Sequence, residues 1–328
     1  MEKSRGHLED LLGAGLLVLS LLCGLSCQAP EPAKPAPLTA PLADFCPPAK
    51  IVLLGDSRPH VLLEFWRNGA RTAREDIVEQ IALERPALIL HSGDLVTNGA
   101  NVKAWARFDR EMAPLREARI PFFPALGNHE YGGNDDLALG NFFARFPLLE
   151  RRRWYDLQMG PLLILVMDTN WGALSPELIA EQDAWYWDRL WASDQDPSTR
   201  AVFVLGHHPP YTNVVTHRPD AESQGHLVAP ARDFPKVRLF ISGHAHTYER
   251  FFLDDKIFVV SGGGGAPLAP LGVKTNSPRE RDEYSGGSYR PFNYLLVNLE
   301  ENRAKVDVMM LRDQERTWYE GDSFTVEF

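Results

Sequence analysis

Five short apolar runs in this chain end alike, on a glycine followed by a side chain that can bind a metal or carry a proton. Ile51-Val52-Leu53-Leu54 leads into Gly55-Asp56, Ala87-Leu88-Ile89-Leu90 into Ser92-Gly93-Asp94, and the run from Phe122 to Leu126 into Gly127-Asn128-His129-Glu130. Ala201-Val202-Phe203-Val204-Leu205 leads into Gly206-His207-His208, and Leu239-Phe240-Ile241 into Gly243-His244-Ala245-His246. Runs this short and this apolar read as strands buried on both faces. Amphipathic helical patterns alternate with them, so the chain reads as an α/β layered core. In such folds sites form just beyond the carboxyl ends of the strands, which places Asp56, Asp94, Asn128, His129, His207, His244 and His246 on one edge. In extended backbone, residues two apart point to one face, roughly 6.5–7 Å apart. His244 and His246 are therefore expected to serve one each of two cations spaced ~3.5–4 Å apart, the separation used in two-metal hydrolysis.

The intervening segments fit this scheme. Thr72 and Glu75 make a capping box for a helix with Ala73, Ile77, Val78 and Ile81 inward, stopped by Pro86. Trp105, Phe108 and Met112 recur at helical spacing. Trp154 to Leu157 and Leu162 to Met167 read as strands, and Ser175-Pro176 as an N-cap with proline at the first helical position. That helix carries Leu178, Trp185 and Trp191, and Trp185, Tyr186 and Trp187 read as packing surface. Residues 211 to 235 read as a loop, in which His217 and His226 are taken as surface histidines. Ile257 to Val260 leads into four glycines from Gly262, a tight turn under the site, since the Lys-Ser/Thr of a P-loop is missing. Tyr294 to Leu299 and Ala304 to Met310 read as a closing hairpin.

The first residues differ from the rest. Lys3 and Arg5 precede an uncharged apolar stretch from Leu11 to Leu25, short for a membrane span and suited to a secretory signal. It ends in Leu25-Ser26-Cys27, which resembles the lipobox of bacterial lipoproteins. That resemblance implies a signal over residues 1–27 and an exported protein held at a bacterial envelope membrane by a lipid on Cys27, the alternative being a periplasmic or secreted protein. Residues 28–49 are rich in alanine and proline and read as a tether, with a single catalytic domain over residues 50–328. Cys23 and Cys27 fall within the signal, which leaves Cys46 as the sole thiol of the mature chain. A disulfide framework and a thiolate metal cluster are both excluded. Any metal centre must use imidazole, carboxylate and carbonyl groups, which suit iron, zinc or manganese. A net charge of −10 argues against duplex nucleic acid as a partner.

Taken in order, Gly55-Asp56, Gly93-Asp94, Gly127-Asn128-His129-Glu130, His207 and Gly243-His244-Ala245-His246 resemble the signature of the calcineurin-like metallophosphoesterases. His208-Pro209-Pro210-Tyr211 and Thr247-Tyr248-Glu249-Arg250 resemble the purple acid phosphatase branch. The resemblance implies a four-layer αββα sandwich with two metal ions, bridged by Asp94. Asp56 and His246 would complete one site, and Asn128, His207 and His244 the other. His129 would face the phosphate as acid or transition-state stabiliser, while a hydroxide raised by the metals attacks in line. His208, Tyr211, Tyr248 and Arg250 are candidates to support the ligands or meet the substrate. Tyr248 to Arg250 in particular would orient His246.

Two departures from the family pattern bear on chemistry. Arg58 stands two residues after Asp56, where many members carry a histidine. A guanidinium has no acceptor, so Arg58 is expected to contact a phosphate oxygen of the substrate instead. Thr97 stands where purple acid phosphatases carry a metal-binding tyrosine, so no tyrosinate-to-iron colour is expected. The implied function is hydrolysis of small phosphate esters, with monoesters first. Diesters such as cyclic nucleotides, nucleotide derivatives or phospholipid headgroups are the alternative, and a catalytically weakened binding lipoprotein is a third reading.

Overall fold

The structure, a computed structural model, describes residues 47–59, 72–272, 281–312 and 314–328. The expected signal with Cys27, Cys46 and most of the tether lie outside the described residues. Among the described residues no helix is long and apolar enough to cross a membrane.

In chain order the elements that frame the site begin with β1 (Ala49–Leu54), α1 (Ala73–Glu84), β2 (Leu88–His91), α2 (Val102–Glu111), α3 (Ala113–Glu117), β3 (Phe122–Pro124) and α4 (Asp135–Arg145). They continue with β4 (Tyr155–Met159), β5 (Leu162–Val166), α5 (Pro176–Gln195) and β6 (Ala201–Leu205). A helical run follows, made of α6 (Ala221–Ser223), a π turn (Gln224–Val228) and α7 (Ala229–Ala231). The chain closes with β7 (Val237–Ser242), β8 (Tyr248–Leu253), β9 (Lys256–Ser261), β10 (Asn293–Leu299), β11 (Arg303–Arg312) and β12 (Thr317–Glu327).

The strands form two six-stranded sheets, ordered β12-β11-β10-β1-β2-β3 and β4-β5-β6-β7-β9-β8. β1, β2 and β3 pair in parallel, as do β5, β6, β7 and β9. In the first sheet β10, β11 and β12 pair antiparallel, and in the second the edge strands β4 and β8 do. Side-chain alternation along the strands separates the layers. Ile164, Phe203, Leu205, Leu239, Ile241 and Val259 join Leu53, Leu90 and Val297 in one core between the sheets. Their neighbours Leu163, Val202, Val204, Phe240 and Phe258 join Tyr186 and Leu190 of α5 on the opposite side. On the first sheet, Phe122 of β3 meets Phe108 of α2 edge-on at 6.5 Å and stacks on Phe146 at 5.9 Å. Two mixed sheets flanked by helices make the αββα sandwich expected from sequence.

Several local expectations need correction. Thr72 occupies the N-cap of α1, but its backbone is near-helical and its side chain makes no capping bond, so no capping box forms. Ser175 does cap α5, accepting from the backbone N–H of Leu178 at 3.3 Å. The buried side of α5 is Gln182, Tyr186, Leu190 and Ser193, whereas Trp187 and Trp191 are 50% and 57% exposed. The helical run 221–231 replaces part of the expected loop. Asp220 starts it by accepting from the N–H of Ser223 at 2.6 Å. β8 and β12 were not expected as strands.

Candidate metal centre

The parallel strands β1, β2, β3, β6 and β7 end at one rim, and the turns that follow them carry the candidate ligands. Four of these residues sit in left-handed backbone: Asp56 at φ 58°, Asp94 at 62°, His244 at 65° and His246 at 44°. Non-glycine residues rarely adopt this conformation, and strain of this kind clusters at functional sites. The glycines beside them leave room for close approach. A Cβ on Gly243 would lie 2.4 Å from Oδ2 of Asp56, and one on Gly127 would lie 2.3 Å from the backbone nitrogen of Asp94. The extended zigzag expected for Gly243-His244-Ala245-His246 is therefore not what forms. The left-handed turn sends the two imidazoles to different ends of the cluster, His244 towards His207 and Asn128 and His246 towards Asp56.

At one end, Nε2 of His207 lies 2.9 Å from Oδ1 of Asn128, 3.2 Å from Nδ1 of His244 and 3.4 Å from Oδ1 of Asp94. Its Nδ1 lies 2.7 Å from the carbonyl of Ser92. A carbonyl only accepts, so Nδ1 carries the proton and Nε2 presents a lone pair. Burial, and then the neighbouring imidazoles, hold both His207 and His244 well below the ordinary histidine range, so both rings are neutral. At the other end, Nδ1 of His246 donates to the carbonyl of Pro267 at 2.8 Å. In the neutral ring its Nε2 then turns a lone pair to Oδ1 of Asp56 at 3.4 Å. That buried oxygen has no hydrogen-bond partner. Burial also pushes the Asp56 carboxyl above its ordinary range, against the pull of His246.

Lone pairs facing one another without a shared proton fit a cation. Ligating atoms of Asp56, Asp94 and His207 lie within 4.8 Å of one another, as do those of His207, His208 and His244. The donor set is imidazole, carboxylate and amide, as for hard to borderline divalent ions.

A cavity of about 170 Å³ opens on this cluster and is walled by Arg58, Asn128, His129 and His217 among others. Nδ1 of His129 lies 2.8 Å from the carbonyl of Thr97, which directs Nε2 towards Oδ2 of Asp94 at 3.8 Å. Nε of Arg58 also lies 3.8 Å from that oxygen. A second cavity of about 370 Å³ shares Asn128 and is lined by His208, Trp171 and Asp220. His208 sits beside the centre, its ring 4.5 Å from that of His244 and its Nδ1 3.1 Å from Oγ1 of Thr169.

The other expected supporting residues stand elsewhere. Tyr248 and Arg250 bond to Asp322 of β12 at 2.8 Å each, so the Pro267 carbonyl rather than either of them orients His246. Tyr211 packs edge-on against Phe258 at 4.8 Å. His226 stacks on Trp171 and pairs with Asp183, whereas His217, taken as a surface residue from sequence, lies over the centre with its ring 4.6 Å from that of His244.

Glu130 was also missed. It is fully buried, and its two oxygens accept from the backbone N–H groups of Asp94, Leu95, Val96 and Gly127 at 2.7 to 3.2 Å. Burial and the adjacent Asp94 push this carboxyl up to about 8, while the backbone donors favour its ionised form. By tying the second and third turns together it fixes Asp94. Its place in Gly127-Asn128-His129-Glu130 was the available signal.

Residues 49–248 match the family described as calcineurin-like phosphoesterase. The uncharacterized protein YvnB of Bacillus subtilis is 35% identical over 57 residues, which are 17% of this chain and 4% of that protein. Among solved structures, the purple acid phosphatase PPD1 of yellow lupin superposes with a TM-score of 0.62 at 19% identity, over 90% of this chain and 55% of the lupin chain. The chain thus spans only part of either relative's length. GAP50, described as the anchor in the inner membrane complex of Plasmodium, gives 0.62 at 17% identity over 85% of this chain and 88% of its own. A dimetal phosphatase from Danio rerio gives 0.54 at 16% over 86% and 99%. Those likenesses concern the fold, and the family match spans every strand end from Asp56 to His246. The chain belongs to the calcineurin-like phosphoesterase family.

Proposed function

We propose that the protein is a metal-dependent hydrolase of phosphate esters, with monoesters the preferred class. The observation that carries this reading is the convergence of unprotonated imidazole nitrogens, the Asn128 amide oxygen and the Asp56 and Asp94 carboxylates. Asp56, Asp94 and His246 would hold one ion of iron, zinc or manganese, and Asp94, Asn128, His207 and His244 a second. When bound, the pair supplies Lewis acidity to the phosphoryl oxygens and lowers the pKa of water at the site. The Thr97 carbonyl accepts from Nδ1 of His129, so Nε2 faces the cavity, and the ring in its doubly protonated form would pass its Nε2 proton to the leaving oxygen. Arg58, whose Nε lies 3.8 Å from the same Asp94 oxygen that His129 approaches, would present a fixed positive charge to a phosphoryl oxygen. The small cavity over the cluster favours one phosphate carrying one substituent.

The test is hydrolysis of aryl phosphate monoesters and diesters after reloading with Mn²⁺, Zn²⁺ or Fe. Higher kcat/KM for monoesters supports the reading. A preference for diesters reassigns the substrate class, and no turnover with any metal removes the hydrolase. The export reading carries its own check: mass spectrometry of the mature N-terminus is expected to find diacylglycerol on Cys27, and an unmodified residue there would refute the anchor.

A further inference from the structure

His217 reaches the centre although eleven residues separate it from the end of β6 at Leu205, and the loop that carries it must be held for the imidazole to stand where it does. The loop is anchored near its start by one side chain. Glu249, in β8 and fully buried, accepts from Oγ1 of Thr212 at 2.6 Å through Oε2 and from the backbone N–H of Asn213 at 2.8 Å through Oε1. Thr212 Oγ1 in turn accepts from the N–H of Val214 at 3.2 Å. Further along, the N–H of Val215 donates to the carbonyl of Pro270 at 3.1 Å, and that of Gly272 to the carbonyl of Asn213 at 2.9 Å. The same 267–270 segment is tied to His246, whose Nδ1 donates to Pro267 and whose carbonyl accepts from Ala269.

A carboxylate is a costly group to bury, and an apolar side chain would fill this space with less desolvation. What the carboxylate adds is direction, because two donors on consecutive residues meet two oxygens of one rigid plane. The strand that follows His246 therefore holds the loop that carries His217. We infer that Glu249 is a positioning residue, whose carboxylate braces the 212–217 loop and so sets the place of the His217 imidazole over the cavity. The inference rests on the hydrolase reading for its catalytic consequence and not for its structural one.

Two variants separate the brace from simple packing. Glu249→Ala removes both acceptors, while Glu249→Gln keeps an oxygen for the Asn213 N–H and an amide for Thr212. Thr212→Val removes the hydroxyl with little change of shape, and serves if Glu249→Ala fails to fold. Amide hydrogen exchange on the full chain reads the brace without reference to turnover. The Asn213 and Val214 amides are expected to exchange at least about 10-fold faster in Glu249→Ala or Thr212→Val, and near the wild-type rate in Glu249→Gln. In kinetics, Glu249→Ala is expected to lower kcat/KM about 10-fold. That loss should vanish in a His217→Ala background, because the two residues act as a unit. Unchanged exchange at Asn213 and Val214, or kinetic losses that multiply in the double variant, would overturn the inference. A wild-type protein that hydrolyses nothing would remove the hydrolase reading alone, with hydrogen exchange still deciding the brace.

Discussion

Arg58, Glu130 and Glu249 are the residues at which charge and burial make the sharpest demands. Arg58→Ala is expected to raise KM for a phosphate ester about 10-fold while leaving metal content unchanged, since a guanidinium binds oxyanions and cannot ligate a cation. Steady-state kinetics with a metal assay would check it. Glu130→Gln puts an amide NH₂ among four N–H donors and loosens the backbone that presents Asp94. Metal affinity should fall about 10- to 100-fold, read from a titration of activity against metal. Burial pushes the Glu249 carboxyl up to about 7 from an ordinary 4.5. The folded state thus holds this proton more tightly than the unfolded chain, so stability is fully present below about pH 4.5 and is lost as pH rises through about 7. Glu249→Gln is expected to flatten that slope, seen as a smaller fall in Tm between those pH values. At this scale the candidate ligands that the structure brings together were legible, because all but His246 directly follow a glycine at the end of an apolar run and His246 stands two residues after His244. His217 was not, because its place depends on the path of a loop that no local pattern specifies.

Among the elements, the two helix starts offer a paired test of capping. Ser175→Ala removes a formed cap and should destabilise by about 1 kcal/mol. Thr72→Ala removes a side chain that makes no capping bond, so its effect should stay within about 0.5 kcal/mol. Denaturant melts of both variants would show the difference. The inner strands were readable because both their faces are buried, which leaves continuous apolar runs. β12 was not, because most of its residues are half or fully exposed and Gly321 and Asp322 interrupt its apolar pattern. The run 221–231 contains Gly225 and Pro230, both signals for a loop, and the chain accommodates them through one π turn. Backbone handedness at His244 and His246 was likewise hidden, since two histidines separated by one residue suit a strand and a turn equally.

For the whole molecule, the fold supplies turns from two sheets that a pair of metal ions, bound as proposed, would join. Asp56, Asp94 and Asn128 belong to the first sheet, and His207, His244 and His246 to the second. A pair of cations bound there would therefore cross-link the sandwich, and chelation should lower Tm. Saturating metal at 100 times its dissociation constant corresponds to about 2.7 kcal/mol. The iron-loaded protein should show no tyrosinate band in visible absorption. Thr97 offers His129 its carbonyl, and the Tyr131 hydroxyl is committed to Asp168. The most direct test of the two-metal site is the number of ions bound per chain, measured together with phosphate ester turnover in the wild type and in Asp94→Asn. Two ions with turnover, both falling together in Asp94→Asn with activity down at least about 100-fold, is the result expected. Turnover that persists in Asp94→Asn, or a fully loaded wild type that hydrolyses no phosphate ester, would contradict it.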